Sequence, residues 1–287
     1  MARPSNQSNH WDYTVESVKL LTPEGRESGW LGNQRTDTGE VIGISTEHYG
    51  IVNNRDVIAK ADEAIEARGL VPKEKEIVIS DNGAKMRALY DFSDTIKSKV
   101  PEVGDEMGFR LVINNSFDRS LRLSFALGLV RLVCTNGMTT LEKEFDLTKK
   151  HSKSINIDDL LTADKLSTAL DSFDSSLDVY ARLARTEVTQ EQGLNVLQNL
   201  TKANVISEKL REPIARIWND PTHAEDSDRN LYNLNNAVTQ HLTTDVAAER
   251  FEYANRITGQ VLNRFEKASK NSKRLAALVK AIPVELN

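Results

Sequence analysis

Between Gly108 and Val130 two runs of alternating side chains follow one another. In the first, Phe109, Leu111 and Ile113 alternate with Arg110, Val112 and Asn114. In the second, Leu121, Leu123, Phe125, Leu127 and Leu129 alternate with Arg122, Ser124, Ala126 and Gly128. Successive side chains of a strand point to opposite faces, so each run places its large apolar groups on one side. The polar connection from Asn115 to Ser120 suits a hairpin loop. The chain is thereby committed to an antiparallel pair with a fully apolar face, and something must cover that face.

The flanking segments supply partners and cover. Residues 76–80 and 84–92 form a second strand pair across Asp81-Asn82-Gly83, a tight-turn signal. Val57, Ile58, Ala61, Ala64 and Ile65 recur at helical spacing, which predicts a helix over 53–68. Asn53 or Asn54 offers its N-cap oxygen, and Gly69 a left-handed stop. Residues 1 to about 50, punctuated by glycine, read as an extended arm or one or two edge strands. Strand character continues through Arg131-Leu132-Val133-Cys134 and ends at a tight turn at Asn136-Gly137.

From about residue 157 the periodicity is helical. Leu166, Leu170, Phe173, Leu177 and Tyr180 mark one long helix. Thr189 with Gln192 has capping-box spacing and opens the next, with Pro213 as its break or kink. Two further stripes follow, Leu231-Leu234-Val238-His241 and Ile257-Val261-Phe265. The fold class is therefore α+β, an antiparallel β-hairpin sheet with an N-terminal helix, followed by a helical C-terminal region. The boundary falls at the polar segment 149–154. It separates an α/β region at 1–150 from a helical region, packed on it, at 151–287.

The 287 residues carry a formal charge of −5, so any nucleic-acid contact must rest on a local basic surface. Cys134 is the single cysteine and allows no internal disulfide; a core thiol is its expected role. No apolar run reaches the ~20 residues of a membrane span, and no secretory signal opens the chain. The expected location is the cytoplasm, with no membrane partner.

Catalytic constellations are missing from the text. His10, His48, His151, His223 and His241 stand apart from one another and from Cys134, so no metal is expected. Asp81-Asn82-Gly83-Ala84-Lys85 lacks the glycine cradle of a phosphate loop, and no Gly-x-Ser-x-Gly elbow occurs. The expectation is a non-enzymatic protein without a cofactor. What remains is positive charge. Arg87, Arg110, Arg122 and Arg131 come from successive strands, and on one sheet face they would track a phosphate backbone. Lys149, Lys150 and Lys153 add a second basic segment. Lys270, Lys273 and Arg274 belong to a third, the acid-free run 267–280. Tyr90 and Phe117 are the aromatics near them that would stack on bases.

Three strings of residues are more specific. Arg131-Leu132-Val133-Cys134-Thr135-Asn136-Gly137-Met138 resembles a signature of the phage/plasmid-like protein family catalogued as domain of unknown function number nine hundred and thirty-two. Tyr49-Gly50-Ile51-Val52-Asn53-Asn54 resembles that family's entry into its first helix. Leu231-Tyr232-Asn233-Leu234-Asn235-Asn236-Ala237-Val238-Thr239 with His241 resembles its late Asn-Ala-Val-Thr element. The resemblance spans roughly residues 40 to 245. It implies a phage or plasmid setting in a bacterial host cell. In that setting, small β-hairpin-plus-helix proteins often handle single-stranded DNA, and the β-β-β-α order looks somewhat like phage single-strand annealing proteins. The expected function is single-stranded DNA binding or annealing in recombination or replication, by a homo-oligomer. The alternative is an interaction protein that binds a host protein, or a virion-associated structural component.

Overall fold

The computed structural model describes residues 10–101, 103–131, 147–171, 173–244 and 251–282. It is a mixed α and β chain whose sheets are antiparallel, in agreement with the expected class. The chain divides into two compact units that interleave in sequence. The first takes in the described residues of 1–95, 110–127 and 142–170; the second those of 96–109, 128–141 and 171–287.

The first unit opens with a three-stranded sheet, β1 (Val15–Leu21), β2 (Glu27–Arg35) and β3 (Val41–Ser45), in that spatial order. This exceeds the expected arm or edge strands. Two glycine turns make the meander possible: Gly25 and Gly39 sit at φ +78° and +75°, where other residues are strained. One face of this sheet contributes Val15 and Ile42 to a core with Tyr13, Ala84 and Phe117.

Helix α1 (Asn54–Ala67) follows, and Val57, Ile58, Ala61, Ala64 and Ile65 are all buried, as the spacing predicts. Gly69 takes φ +64° beyond its end. Asn53 does precede the helix, but its side chain does not cap it; the Oδ1 accepts the Val15 N–H at 2.8 Å.

A larger sheet runs β4 (Glu74–Ile79), β5 (Lys85–Asp91), β7 (Glu106–Ser116), β8 (Leu123–Arg131) and β9 (Leu147–Lys149), and β6 (Lys97–Lys99) pairs with β7. The β4–β5 turn is the one expected. Gly83 lies at φ +73°, and Asn82 Oδ1 accepts from the Ala84 N–H at 3.0 Å. On the face bearing Met86, Ala88 and Tyr90, α1 provides cover: the Tyr90 hydroxyl donates to Asp62 at 2.8 Å, and Asn115 Nδ2 donates to Asn54 Oδ1 at 2.9 Å.

Leu111, Ile113, Leu123 and Phe125 are buried there, as their alternation requires, and Phe109 is buried in the second unit against Phe173. The opposite face departs from expectation. Val112, Asn114, Ser124 and Ala126 are also buried, so the middle strands are covered on both sides.

The second unit is built on helices. The expected long helix is described as α2 (Ala163–Asp171), most of which belongs to the first unit, and α3 (Phe173–Arg185). The capping box at Thr189 and Gln192 forms and opens α4 (Gln190–Lys202). That helix stops before Pro213: Asn204 turns left-handed at φ 54°, and α5 (Glu208–Asn219) begins afresh after Ser207, with Pro213 inside it. Helix α6 (Leu231–Thr244) is buried on nearly all sides, from Leu231 to Thr239 and at Leu242. Helices α7 (Phe251–Ser269) and α8 (Ser272–Val279) complete the described fold. The Asn136-Gly137 turn and Cys134 lie outside the described residues.

Candidate functional site

The four sheet arginines do not make one wet face. Asp91 and Arg110 are direct cross-strand partners, and the guanidinium holds Asp91 Oδ2 at 2.7 and 3.0 Å. Burial pushes the Asp91 carboxyl up, but the Ser93 hydrogen bonds and the Arg110 pair outweigh it and hold the pKa below the ordinary range. Arg87 is half-buried opposite Asn114; burial lowers its pKa, with Glu76 opposing and Arg110 adding to the effect. Arg122 alone of the four is exposed. The reason is the double cover of the middle strands, because a charge inside a covered sheet persists only with a partner.

Arg131 departs furthest from the expectation. Its side chain is 0% exposed, in the interior of the second unit. Nε lies 2.7 Å from Asp105 and Nη1 2.8 Å from Asp226. The Tyr232 hydroxyl donates to Asp105 Oδ2 at 2.7 Å, and Asn236 Nδ2 donates to Asp226 Oδ1 at 2.9 Å. Burial works against the Arg131 charge, yet the Tyr232 phenol and the two carboxylates hold its pKa above the ordinary value. The Tyr232 phenol is itself driven up, first by burial and then by Asp105. The β6–β7 turn, the end of β8 and the short turn Ala224–Asp226 each send one member to this centre, and α6 sends two, Tyr232 and Asn236. An arginine so enclosed cannot reach a phosphate.

The aromatics expected to stack on bases are enclosed as well. Phe117 sits in the core with Tyr13, and Tyr90 is buried against Asp62. Neither presents a ring to a base.

The exposed cations gather elsewhere in the first unit. The β8–β9 register sets Leu123 opposite Lys149, so Arg122 and Lys150 leave the two strands side by side. Arg119, Arg122, Lys149, Lys150 and Lys153 are all exposed, and none has an ion pair among the described residues. Arg119 occupies a left-handed turn position at φ 67°. Sequence reasoning passed over it, although its place in the polar Asp118-Arg119-Ser120 turn was a signal of exposure. Lys270, by contrast, is paired with Glu266. Lys273 and Arg274 are exposed on α8, in the second unit.

A clasp holds the 149–153 segment in place. Gly50 N–H donates to the His151 carbonyl at 3.3 Å, and Lys153 N–H donates to the His48 carbonyl at 2.9 Å. The Tyr49 ring stacks on His151 with centroids 5.1 Å apart, and its hydroxyl donates to the Ser116 carbonyl at 2.7 Å. A Cβ on Gly50 would lie 2.1 Å from the Ser152 carbonyl oxygen, so only glycine fits. His151 is buried, which lowers its pKa, with the Gly50 carbonyl opposing. Its Nδ1 lies 3.2 Å from that carbonyl. Burial, the largest cause, raises the pKa of the Tyr49 phenol; Asp118 adds to the rise, and the Ser116 hydrogen bond and Arg119 oppose it.

The family Domain of unknown function (DUF932) matches residues 41–279. The chain belongs to this family. No curated protein and no solved structure matches it. Described residues of all three strings that carry the DUF932 resemblance have structural roles. Tyr49 to Asn54 forms the clasp and, through Asn53 and Asn54, ties the N-terminal sheet to α1 and β7. Arg131 opens the second string, and Tyr232 and Asn236 belong to the third; these meet in the buried ionic centre. Among the described residues of this DUF932 chain, no group of three or more His, Cys, Asp or Glu side chains is placed to hold a metal ion. No helix among them is long and apolar enough to cross a membrane.

Proposed function

We propose that this protein is a non-enzymatic single-stranded DNA-binding protein acting in recombination or replication of a phage or plasmid. The contact surface is the cationic end of the β8–β9 pair. One observation carries the reading: Arg119, Arg122, Lys149, Lys150 and Lys153 are exposed and lack ion pairs among the described residues, while the register sets Arg122 beside Lys150 and the Tyr49–Gly50–His151 clasp holds the segment that bears Lys153. Unpaired cations at an exposed sheet end suit a phosphate backbone, which they contact without reading sequence. With no exposed aromatic supplied by Tyr90 or Phe117, stacking adds little, and binding is weak and strongly salt-dependent.

The test is fluorescence anisotropy with a labelled oligonucleotide at low salt. Affinity should fall with salt by about 0.7 logarithmic units per phosphate contact for each decade of concentration. Arg122→Glu and Lys150→Glu should weaken binding to all sequences alike. Absence of binding at tens of micromolar protein, where non-specific binders register, removes the proposal.

A second reading, a protein-interaction role, is favoured by one observation, the exposed apolar side chains Trp30, Val41 and Ile44 on the first sheet.

A further inference from the structure

Among the described residues, eight large apolar side chains are exposed, and four of them, Leu21, Trp30, Val41 and Ile44, lie on the three strands β1–β3. Register explains the concentration. Glu16 faces Gln34, Val18 faces Gly32, and Gly32 faces Ile44, so these positions share the outer face of the sheet. Leu20 and Trp30 join it by alternation. Val18, Leu20 and Val41 converge over Gly32, each within 3.0–3.2 Å of where a Cβ would stand. The inner face is already occupied: Asn33 donates to the Phe117 carbonyl, and Ser45 donates to Asn33 at 2.9 Å. Trp30 is 48% exposed and Ile44 55%. A contiguous apolar face of this kind marks an interaction surface.

We propose that a second copy of this chain docks on the outer face of the β1–β2–β3 sheet, around Trp30, Gly32 and Ile44. Charge selects the partner. Between Val18 and Ile44 the outer face carries no charged side chain, and the neighbouring cations Lys19 and Arg35 are paired with Glu27 and Asp37. A nucleic acid finds no counter-charge there. The two ends of the sheet differ. The β1–β2 hairpin end carries Arg26 beside Glu24, and the far end of the outer face carries Glu16, with no ion pair for Arg26 or Glu16 among the described residues. Two such faces related by a two-fold axis across the strands set Arg26 of each copy over Glu16 of the other, an isologous, charge-complementary pairing. Strands of seven, nine and five residues, about 24, 31 and 17 Å long and about 4.8 Å apart, give a footprint of about 340 Å² on each copy. The two footprints together, about 700 Å², fall below the standard size of a specific interface, so the association is weak and transient. It does not depend on the DNA-binding reading.

Sedimentation velocity of the full chain without DNA, from about 1 to about 100 µM, tests this. A concentration-dependent monomer–dimer equilibrium is expected. Trp30→Glu and Ile44→Glu should each raise the dissociation constant by about tenfold or more. Both side chains are exposed, so thermal midpoints by circular dichroism should stay at the wild-type value. Glu16→Arg should weaken the dimer, and Arg26→Glu in the same chain should restore it. A wild-type chain that stays monomeric throughout overturns the proposal. So does association that survives both Trp30→Glu and Ile44→Glu, and so does a charge exchange that fails to restore it.

Discussion

The Arg131 guanidinium and the Asp226 carboxylate, ninety-five positions apart, meet at 2.8 Å in the interior of the second unit. Asp105 completes the pair into a triad. Removing the cation leaves two buried carboxylates facing each other, and breaking such a buried pair costs about 3–5 kcal/mol. Arg131→Met should lower the unfolding free energy by about that much in urea titration. DNA affinity of the folded variant should be unchanged, because the residue touches no solvent.

Arg110 and Arg122 differ by twelve positions and should differ in kind. Charge reversal at Arg110 sets a glutamate against buried Asp91, so Arg110→Glu is expected to destabilise the fold. Arg122 is exposed and has no ion pair among the described residues, so Arg122→Glu should leave the denaturation midpoint near wild type while weakening oligonucleotide binding. Urea midpoints and anisotropy on the same two variants separate the effects. Equal loss of affinity at matched folded fraction would return Arg110 to the binding surface.

Gly50→Ala tests the clasp. The added methyl would stand 2.1 Å from a backbone oxygen, which cannot rotate away. Forced overpacking of this kind costs about 1–3 kcal/mol. Hydrogen exchange should show the loss locally, at the Gly50 and Lys153 amides, whose acceptors are the His151 and His48 carbonyls. Uniform protection in wild type and variant would contradict the assignment.

His151 makes the clasp sensitive to acid. Its folded pKa is lowered from the ordinary 6.5, first by burial, so the folded chain binds fewer protons than the unfolded one. Its contribution is full above pH 6.5 and is lost as pH falls from there through the lowered folded value. Stability measured by urea titration should decline over that window. His151→Phe keeps a ring against Tyr49 and removes the titration, so its profile should be flatter. An identical slope in the variant would place the titration elsewhere.

Leu123 lies at the centre of the alternating pair and is fully buried. Leu123→Ala should cost about 2–5 kcal/mol by loss of transfer energy and by the cavity it opens. A change within about 0.5 kcal/mol, typical of surface sites, would contradict its burial.

Local pattern determined much of this protein. The period-two runs at 108–130 specified strands with Leu111, Ile113, Leu123 and Phe125 inside. The helical spacing at 53–68 specified α1, Asp81-Asn82-Gly83 specified a turn, and Thr189 with Gln192 specified a helix start. These signals are readable because each depends on neighbours within one turn or one hairpin. What tertiary structure alone decided is where the charges went. Alternation placed Arg110 and Arg87 on the non-apolar face, but whether that face meets water depends on what else covers the sheet, and covered strands turned exposed cations into paired or desolvated ones. Arg131 looked like its neighbours in sequence, and its partners Asp105 and Asp226 come from a turn and a short helix that no local period announces. The cations that remain in solvent were brought together by the β8–β9 register and a glycine close to a distant carbonyl, relationships set by long-range packing rather than by spacing along the chain.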